Sequence, residues 1–160
     1  MLNTATQDLT ITEDPNENVG RWPVHVNTDL DLPAAQNDHF IFRNGIAYAG
    51  THLLIDIWGA SKLDDLKLME DTFKECVKQC KATLLHIHMH HFTPNGGISG
   101  VAVLAESHIS VHTWPERDYA AFDVFMCGDA EPLKAVDVIK AAFGPEHVRV
   151  DEQLRGRTDR

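Results

Sequence analysis

From Thr51 to Trp58, apolar Leu53, Ile55 and Ile57 alternate with His52, Leu54, Asp56 and Trp58, a two-residue period that predicts a strand ended by Gly59. The period then changes. Leu66, Met69, Phe73, Cys76, Val77 and Cys80 recur at helical spacing and predict a helix, with Ser61 and Asp64 as a capping-box-like start. Residues 83–92 return to strand alternation, with Leu85, Ile87 and Met89 on one face and His86, His88 and His90 on the other. Pro94-Asn95-Gly96-Gly97 reads as a turn. Val101 to Leu104 predicts an apolar strand, Ile109 to Trp114 alternates again, and Tyr119 to Met126 gives another strand closing at Cys127-Gly128. Pro132 near the start, a stripe of Leu133, Val136, Val138 or Ile139 and Phe143, and Gly144-Pro145 as a stop predict a second helix. A last strand covers 147–153.

Hairpin-spaced strands with two helices indicate an α+β fold: an antiparallel sheet with helices packed on one face, an αβ sandwich. The opposite face is then expected to carry the polar and catalytic groups. Residues 1–44 are rich in Asn, Asp, Thr and Pro, with scattered Trp22, Val24, Phe40 and Phe42, and read as an extended, partly disordered arm before a domain over 45–160.

Composition narrows the class. With 43% hydrophobic and 24% charged residues, the 160-residue chain is of ordinary globular type and long enough to bury a core without disulfide or metal staples. No apolar run reaches the length of a spanning helix, so no membrane role is expected. The first twenty residues have neither the basic nor the apolar region of a secretory signal. A net charge of −10 and a pI near 5.3 repel phosphate backbones and argue against nucleic acid as a partner. Cys76, Cys80 and Cys127 make an odd count with no CxxC pair, which suits a reducing cytoplasm.

The chemistry concentrates between Leu104 and Glu116, where a hydroxyl (Ser107), a possible base (His112) and two carboxylates (Glu106, Glu116) fall within one alternating stretch. His112 lies five residues beyond Ser107, on the opposite face of a regular strand, so a turn or bulge is expected between them. His86, His88 and His90 could in principle hold zinc. A strand spreads such ligands in a line, however, and no Cys or Asp pattern completes a tetrahedron, so a polar strand face is expected and no metal.

The run AESHISVHTWPE, preceded by GISGV and followed by FMCG, with GTHLLIDIWGA further upstream, resembles the prokaryotic S-adenosylmethionine decarboxylases, which are self-cleaving pyruvoyl enzymes. The resemblance reaches from about Gly50 to about Leu154, and its blocks keep their order and spacing. It implies cleavage of the Glu106-Ser107 bond into a β chain, 1–106, and an α chain, 107–160, with Ser107 becoming the covalent pyruvoyl cofactor. It further implies His112 as processing base, Ser99 as the serine that assists it, and Cys127 as catalytic proton donor. Glu116 would bind the ribose hydroxyls, Phe92 would stack on adenine, and Trp114 would wall the site. One departure is that Thr93 to Gly97 holds one residue more than the family's usual loop. The implied activity is decarboxylation of S-adenosylmethionine to the aminopropyl donor of spermidine synthesis, by a homodimer of cleaved units.

The residue types suit that chemistry. A serine hydroxyl attacking the preceding carbonyl turns an amide into an ester, and histidine, titrating near neutrality, can take the proton whose loss eliminates it. A ketone made from the new amino end serves as an electron sink, and a thiol can return a proton at neutral pH. Two other readings stand beside this one. The first is a pyruvoyl decarboxylase of ornithine or arginine. The second is a histidine-rich metal-binding or regulatory subunit that does not cut itself.

Overall fold

The structure is a computed structural model that describes residues 39–159; Trp22 and Val24 of the expected arm lie outside the described residues. In chain order the elements are β1 (Ile41–Arg43), β2 (Ile46–Tyr48), β3 (Gly50–Trp58), α1 (Leu66–Gln79), β4 (Leu84–His91), β5 (Ile98–Leu104), β6 (Ser107–Trp114), β7 (Tyr119–Met126), α2 (Lys134–Phe143) and β8 (His147–Arg155). Strands β3 to β8 form one sheet in the order β4-β5-β6-β7-β3-β8 with every neighbour antiparallel. The architecture is α+β, as the alternating periods predict. No helix among the described residues is long and apolar enough to cross a membrane.

Period-two burial builds the core. Leu53, Ile55 and Ile57 of β3, Ile109 and Val111 of β6, and Ala120, Phe122, Val124 and Met126 of β7 turn one face of the sheet to the helices and are buried. Met69, Phe73, Cys76 and Val77 of α1 and Ala135, Ile139 and Phe143 of α2 meet them in one cluster. Phe122 packs against both helices, with ring centroids 6.4 Å from Phe73 and 6.0 Å from Phe143. Each large side chain so buried contributes about 1.5–3 kcal/mol of transfer free energy. Cys76 and Cys80 belong to this core; burial pushes the Cys80 thiol to about 11 and the Cys76 thiol higher still.

Three local expectations are corrected. The N-cap of α1 is Asp65, whose carboxylate accepts the Leu68 N–H at 2.9 Å, rather than Ser61. Ser61 cannot cap the helix because Lys62 after it is left-handed, φ 59°, and because its Oγ donates to the Phe143 carbonyl instead. Likewise α2 begins after Pro132, at Lys134, and ends as predicted on a left-handed Gly144, φ 56°. Lastly, no turn or bulge separates Ser107 from His112. β6 starts at Ser107 and pairs without a register shift with both β5 and β7, because ladders on both sides hold it straight.

Ahead of the sheet, β1 and β2 form a hairpin that pairs Ile41 with Tyr48 and Arg43 with Ile46. Asn44 and Gly45 turn it with φ of 53° and 78°, the left-handed pair that Asn-Gly tolerates. The boundary expected between residues 44 and 45 falls inside this turn.

Candidate active site

The expected site residues lie at the two opposite ends of β6. At one end, Ser99 of β5 pairs with His112 of β6, and Ser99 Oγ lies 2.8 Å from His112 Nδ1 on the face away from the helices. The connection from β4 to β5 closes beside them through Phe92 N–H to Gly97 carbonyl, 2.8 Å, and Gly96 N–H to Phe92 carbonyl, 2.9 Å. Gly97 is required by closeness: a Cβ there would stand 2.9 Å from the Thr113 carbonyl. On the buried face Thr113 ties the same strands, its hydroxyl accepting from Ile98 N–H at 2.8 Å and donating to the Leu63 carbonyl at 2.9 Å. After β6 a one-turn 3₁₀ helix, Pro115–Arg117, carries Glu116, and left-handed Asp118 (φ 49°) returns the chain into β7.

Phe92, Asn95, Gly97, Ser99, His112, Thr113, Trp114 and Glu116 line a cavity of about 260 Å³. Its rim is aromatic. Phe92 stands edge-on to His90, centroids 4.5 Å apart, and Trp114 continues through Tyr119 (5.3 Å) to Trp58 (a further 5.5 Å) in a stacked row across three strands. Tyr119 donates its hydroxyl to Asp56 at 2.5 Å, and burial with that carboxylate pushes its phenol up to about 12. A larger hollow, about 620 Å³, lies between α1 and α2 and contains none of the expected site residues.

Glu106, Ser107 and Cys127 gather at the other end. Ser107 is the first residue of β6, paired with Leu104, and its Oγ accepts the Cys127 N–H at 3.2 Å. Glu106 sits on the exposed β5–β6 turn. The Cys127 thiol is pushed up by burial first and by the Glu106 carboxylate second, so it holds its proton above the ordinary thiol range.

Five residues of strand at about 3.3 Å each set Ser107 and His112 roughly 16 Å apart along β6. They also face opposite sides of the sheet. The sequence-predicted residues therefore form two half-sites, with Ser99, His112, Phe92, Trp114 and Glu116 in one and Glu106, Ser107 and Cys127 in the other.

Between the halves runs a polar network that sequence reasoning missed. Arg155 Nη1 donates to His52 Nδ1 at 3.1 Å, which leaves His52 Nε2–H to donate to Asp123 Oδ1 at 3.1 Å; Ser110 Oγ donates to Asp123 Oδ2 at 3.3 Å. His108, beside Ser107, packs against Phe125 (5.6 Å) and His52 (6.1 Å), and burial depresses its imidazole below the ordinary histidine range. These groups come from β3, β6, β7 and β8, and no local motif signals that the sheet brings them together. His86, His88 and His90 stand in line along edge strand β4, and no three His, Cys, Asp or Glu side chains among the described residues converge on a point where a metal ion could sit.

The family model of S-adenosylmethionine decarboxylase matches residues 51–156. The chain belongs to the S-adenosylmethionine decarboxylase family. The match takes in both half-sites, both helices and nearly all of the six-stranded sheet, and leaves the β1–β2 hairpin before it. Among its relatives, the S-adenosylmethionine decarboxylase proenzyme of Thermomicrobium roseum is 39% identical over 67% of this chain and 93% of its own length. That of Methanococcus vannielii is 45% identical over 69% of this chain and 92% of its own. The crystal structure of the Aquifex aeolicus adenosylmethionine decarboxylase superposes with a TM-score of 0.60 at 32% identity, covering 68% of this chain and 92% of that one.

Proposed function

We propose that this protein decarboxylates S-adenosylmethionine after cutting itself between Glu106 and Ser107, and that its working unit is a homodimer in which each site is shared between two copies. The observation that carries the shared site is the separation of the half-sites on a straight β6. The sheet face away from the helices leaves Leu54, Trp58, Val101, Val103 and Trp114 36–42% exposed, an apolar surface suited to a second copy. A two-fold axis on that face, with the ends exchanged, brings the Ser99–His112 end of one copy's β6 over the other end of its partner's, the strand terminus where Ser107 Oγ accepts the Cys127 N–H.

In that arrangement the Ser107 hydroxyl attacks the Glu106 carbonyl, breaking the C–N bond and forming an ester with a free Ser107 amine. His112 of the other copy, held by Ser99, removes the Ser107 α-proton, and elimination releases Glu106 as a carboxylate. The dehydroalanine left at 107 takes up water and loses ammonia, leaving a pyruvoyl group. The surroundings fit such a group, since a backbone N–H already faces Ser107 Oγ and a protonated thiol stands on the same segment. When present, that ketone is the electron sink that lets the substrate carboxylate depart as carbon dioxide. Cys127 Sγ holds the proton for the carbon that loses it. Phe92 offers a stacking face for adenine, Glu116 a carboxylate for ribose hydroxyls, and Trp114 a π-surface for a cationic sulfonium. Three free cysteines support a reducing, cytoplasmic setting.

The test is intact mass of the purified chain, with carbon dioxide release measured from S-adenosylmethionine, ornithine and arginine. Fragments 1–106 and 107–160, the latter blocked at its amino end, and release from S-adenosylmethionine alone are expected. An uncut chain, or release from ornithine or arginine instead, contradicts the proposal.

A further inference from the structure

The family match begins at residue 51, yet chain upstream of it reaches the cleavage site. The carbonyl of His39 accepts the N–H of Gly128 at 3.1 Å, which fastens this segment to the residue after Cys127. Its imidazole Nε2 lies 3.7 Å from the Glu106 side-chain oxygen Oε2. His39 adopts a left-handed backbone, φ 52°, a region unfavourable to a residue with a Cβ and kept only where surroundings fix it. Gly128 is left-handed too, φ 59°, and the His39 ring lies alongside it: a Cβ built there would stand in ordinary van der Waals contact, 3.7 Å from Nδ1. Three segments thus meet, 39–40, 106–107 and 127–128. The ionisable side chain that the His39 ring reaches there is Glu106, the same carboxylate that, after burial, raises the Cys127 thiol.

Glu106 supplies the carbonyl that Ser107 is proposed to attack. Its side chain is 68% exposed on a turn, so the turn alone gives its orientation little support from packing. A nucleophile placed by Cys127 N–H gains rate only if the electrophile is placed as well. After cleavage the need changes: Glu106 becomes a chain end with a second carboxylate beside the first, and a nearby cation offsets the repulsion between them.

We infer that His39 is a positioning residue for self-cleavage, a side chain from upstream of the family's shared domain that, in its protonated form, holds Glu106 at Ser107 before the cut and retains the new chain end afterwards. The inference rests on Glu106-Ser107 being the bond that is cut. It gives this chain a contact to the cleavage site from outside the region that the family model matches, from residues that take no part in the six-stranded sheet.

The test is a cleavage time course of the full 160-residue chain made by cell-free synthesis, quenched at intervals and scored by intact mass, with His39→Arg, His39→Gln and His39→Glu beside the wild type. The expected order of rates follows charge. Arginine cuts at least as fast as wild type, glutamine is about two- to five-fold slower than arginine, the size an exposed ion pair sustains, and glutamate is slower again. A role in folding alone would not rank the three by charge. If wild type cuts and all three variants cut at its rate, or arginine is as slow as glutamine, the inference is overturned while the proposed cleavage stands. If wild type never cuts at that bond, the proposed cleavage falls and the inference falls with it.

Discussion

Ser107 and His112 occupy one uninterrupted strand, five residues apart and on opposite faces, each bonded to a different half of the candidate site. Within one copy the imidazole has no path to the serine, since six rungs of ladder on one side and seven on the other keep β6 straight. The separation gives the proposed dimer a chemical reason, and it sets what each substitution should do.

Ser107→Ala removes the nucleophile, so the expected product is one uncut chain with no decarboxylation. His112→Ala in every copy should slow cleavage at least a hundredfold, the usual scale for losing a general base. Ser99→Ala, which removes one hydrogen bond to that base, should cost about tenfold. Intact mass against time separates the three.

Cys127→Ser should still be cut, because the backbone N–H facing Ser107 Oγ survives the change, yet lose most turnover for want of the thiol proton. The wild-type pH profile follows from the sign of the shift. Burial and the Glu106 carboxylate raise the Cys127 thiol, so its proton is retained as pH rises through the ordinary thiol range and the alkaline fall in turnover comes later than for a free thiol. Rates of carbon dioxide release between pH 7 and 10 check this.

Thr113 is 7% exposed and joins Ile98 and Leu63 through one hydroxyl. Thr113→Val keeps the shape and strands both partners, at a cost of about 1–3 kcal/mol in stability measured by denaturant unfolding. Because Gly97 lies against the Thr113 carbonyl, the same variant should also loosen the cavity and raise KM.

His108 gives a pH-dependence of stability with a definite direction. Its folded-state affinity for a proton is depressed, first by burial and then by His52, so below the ordinary histidine value of 6.5 the unfolded chain binds more protons than the folded one. Stability should therefore fall as pH drops from about 7 through that value. His108→Phe should flatten this component, seen as a smaller shift of the urea midpoint between pH 7.5 and 5.5.

Much of this architecture was readable because its signals are periodic. Alternation in β3, β6 and β7 and the 3.6-residue stripe of α1 each follow from one face being buried, and most of their members are core residues, although Leu66 and Leu133 of the two helical stripes are 38% and 57% exposed and buried Leu63 belongs to no pattern. Of the half-site residues, Glu106, Ser107, His112 and Glu116 stood out by local crowding of reactive types, while Ser99, Cys127 and Phe92 were named only through the family resemblance. What the chain order could not convey is that they lie at opposite ends of a straight strand, since straightness is imposed by β5 and β7, which local sequence does not reveal. The His52-Asp123-Arg155 network was hidden for the same reason, its members being far apart in sequence and joined only by register. The start of α1 was misplaced because Ser61 and Asp64 imitate a cap, while the left-handed backbone of Lys62 breaks the path between them. The β1–β2 hairpin did carry a legible signal, Asn44-Gly45, which the polar composition around it obscured.

The most direct test of the shared site is co-expression of two inactive chains, Ser107→Ala and His112→Ala, distinguished by a mass tag. Neither should cut alone. In the mixture the His112→Ala chain retains Ser107 and meets an intact His112 on its partner, so it should be cut between Glu106 and Ser107 while the Ser107→Ala chain stays whole. A mixture in which the wild-type control cuts and mixed dimers form, yet neither variant chain is cut, would contradict the account.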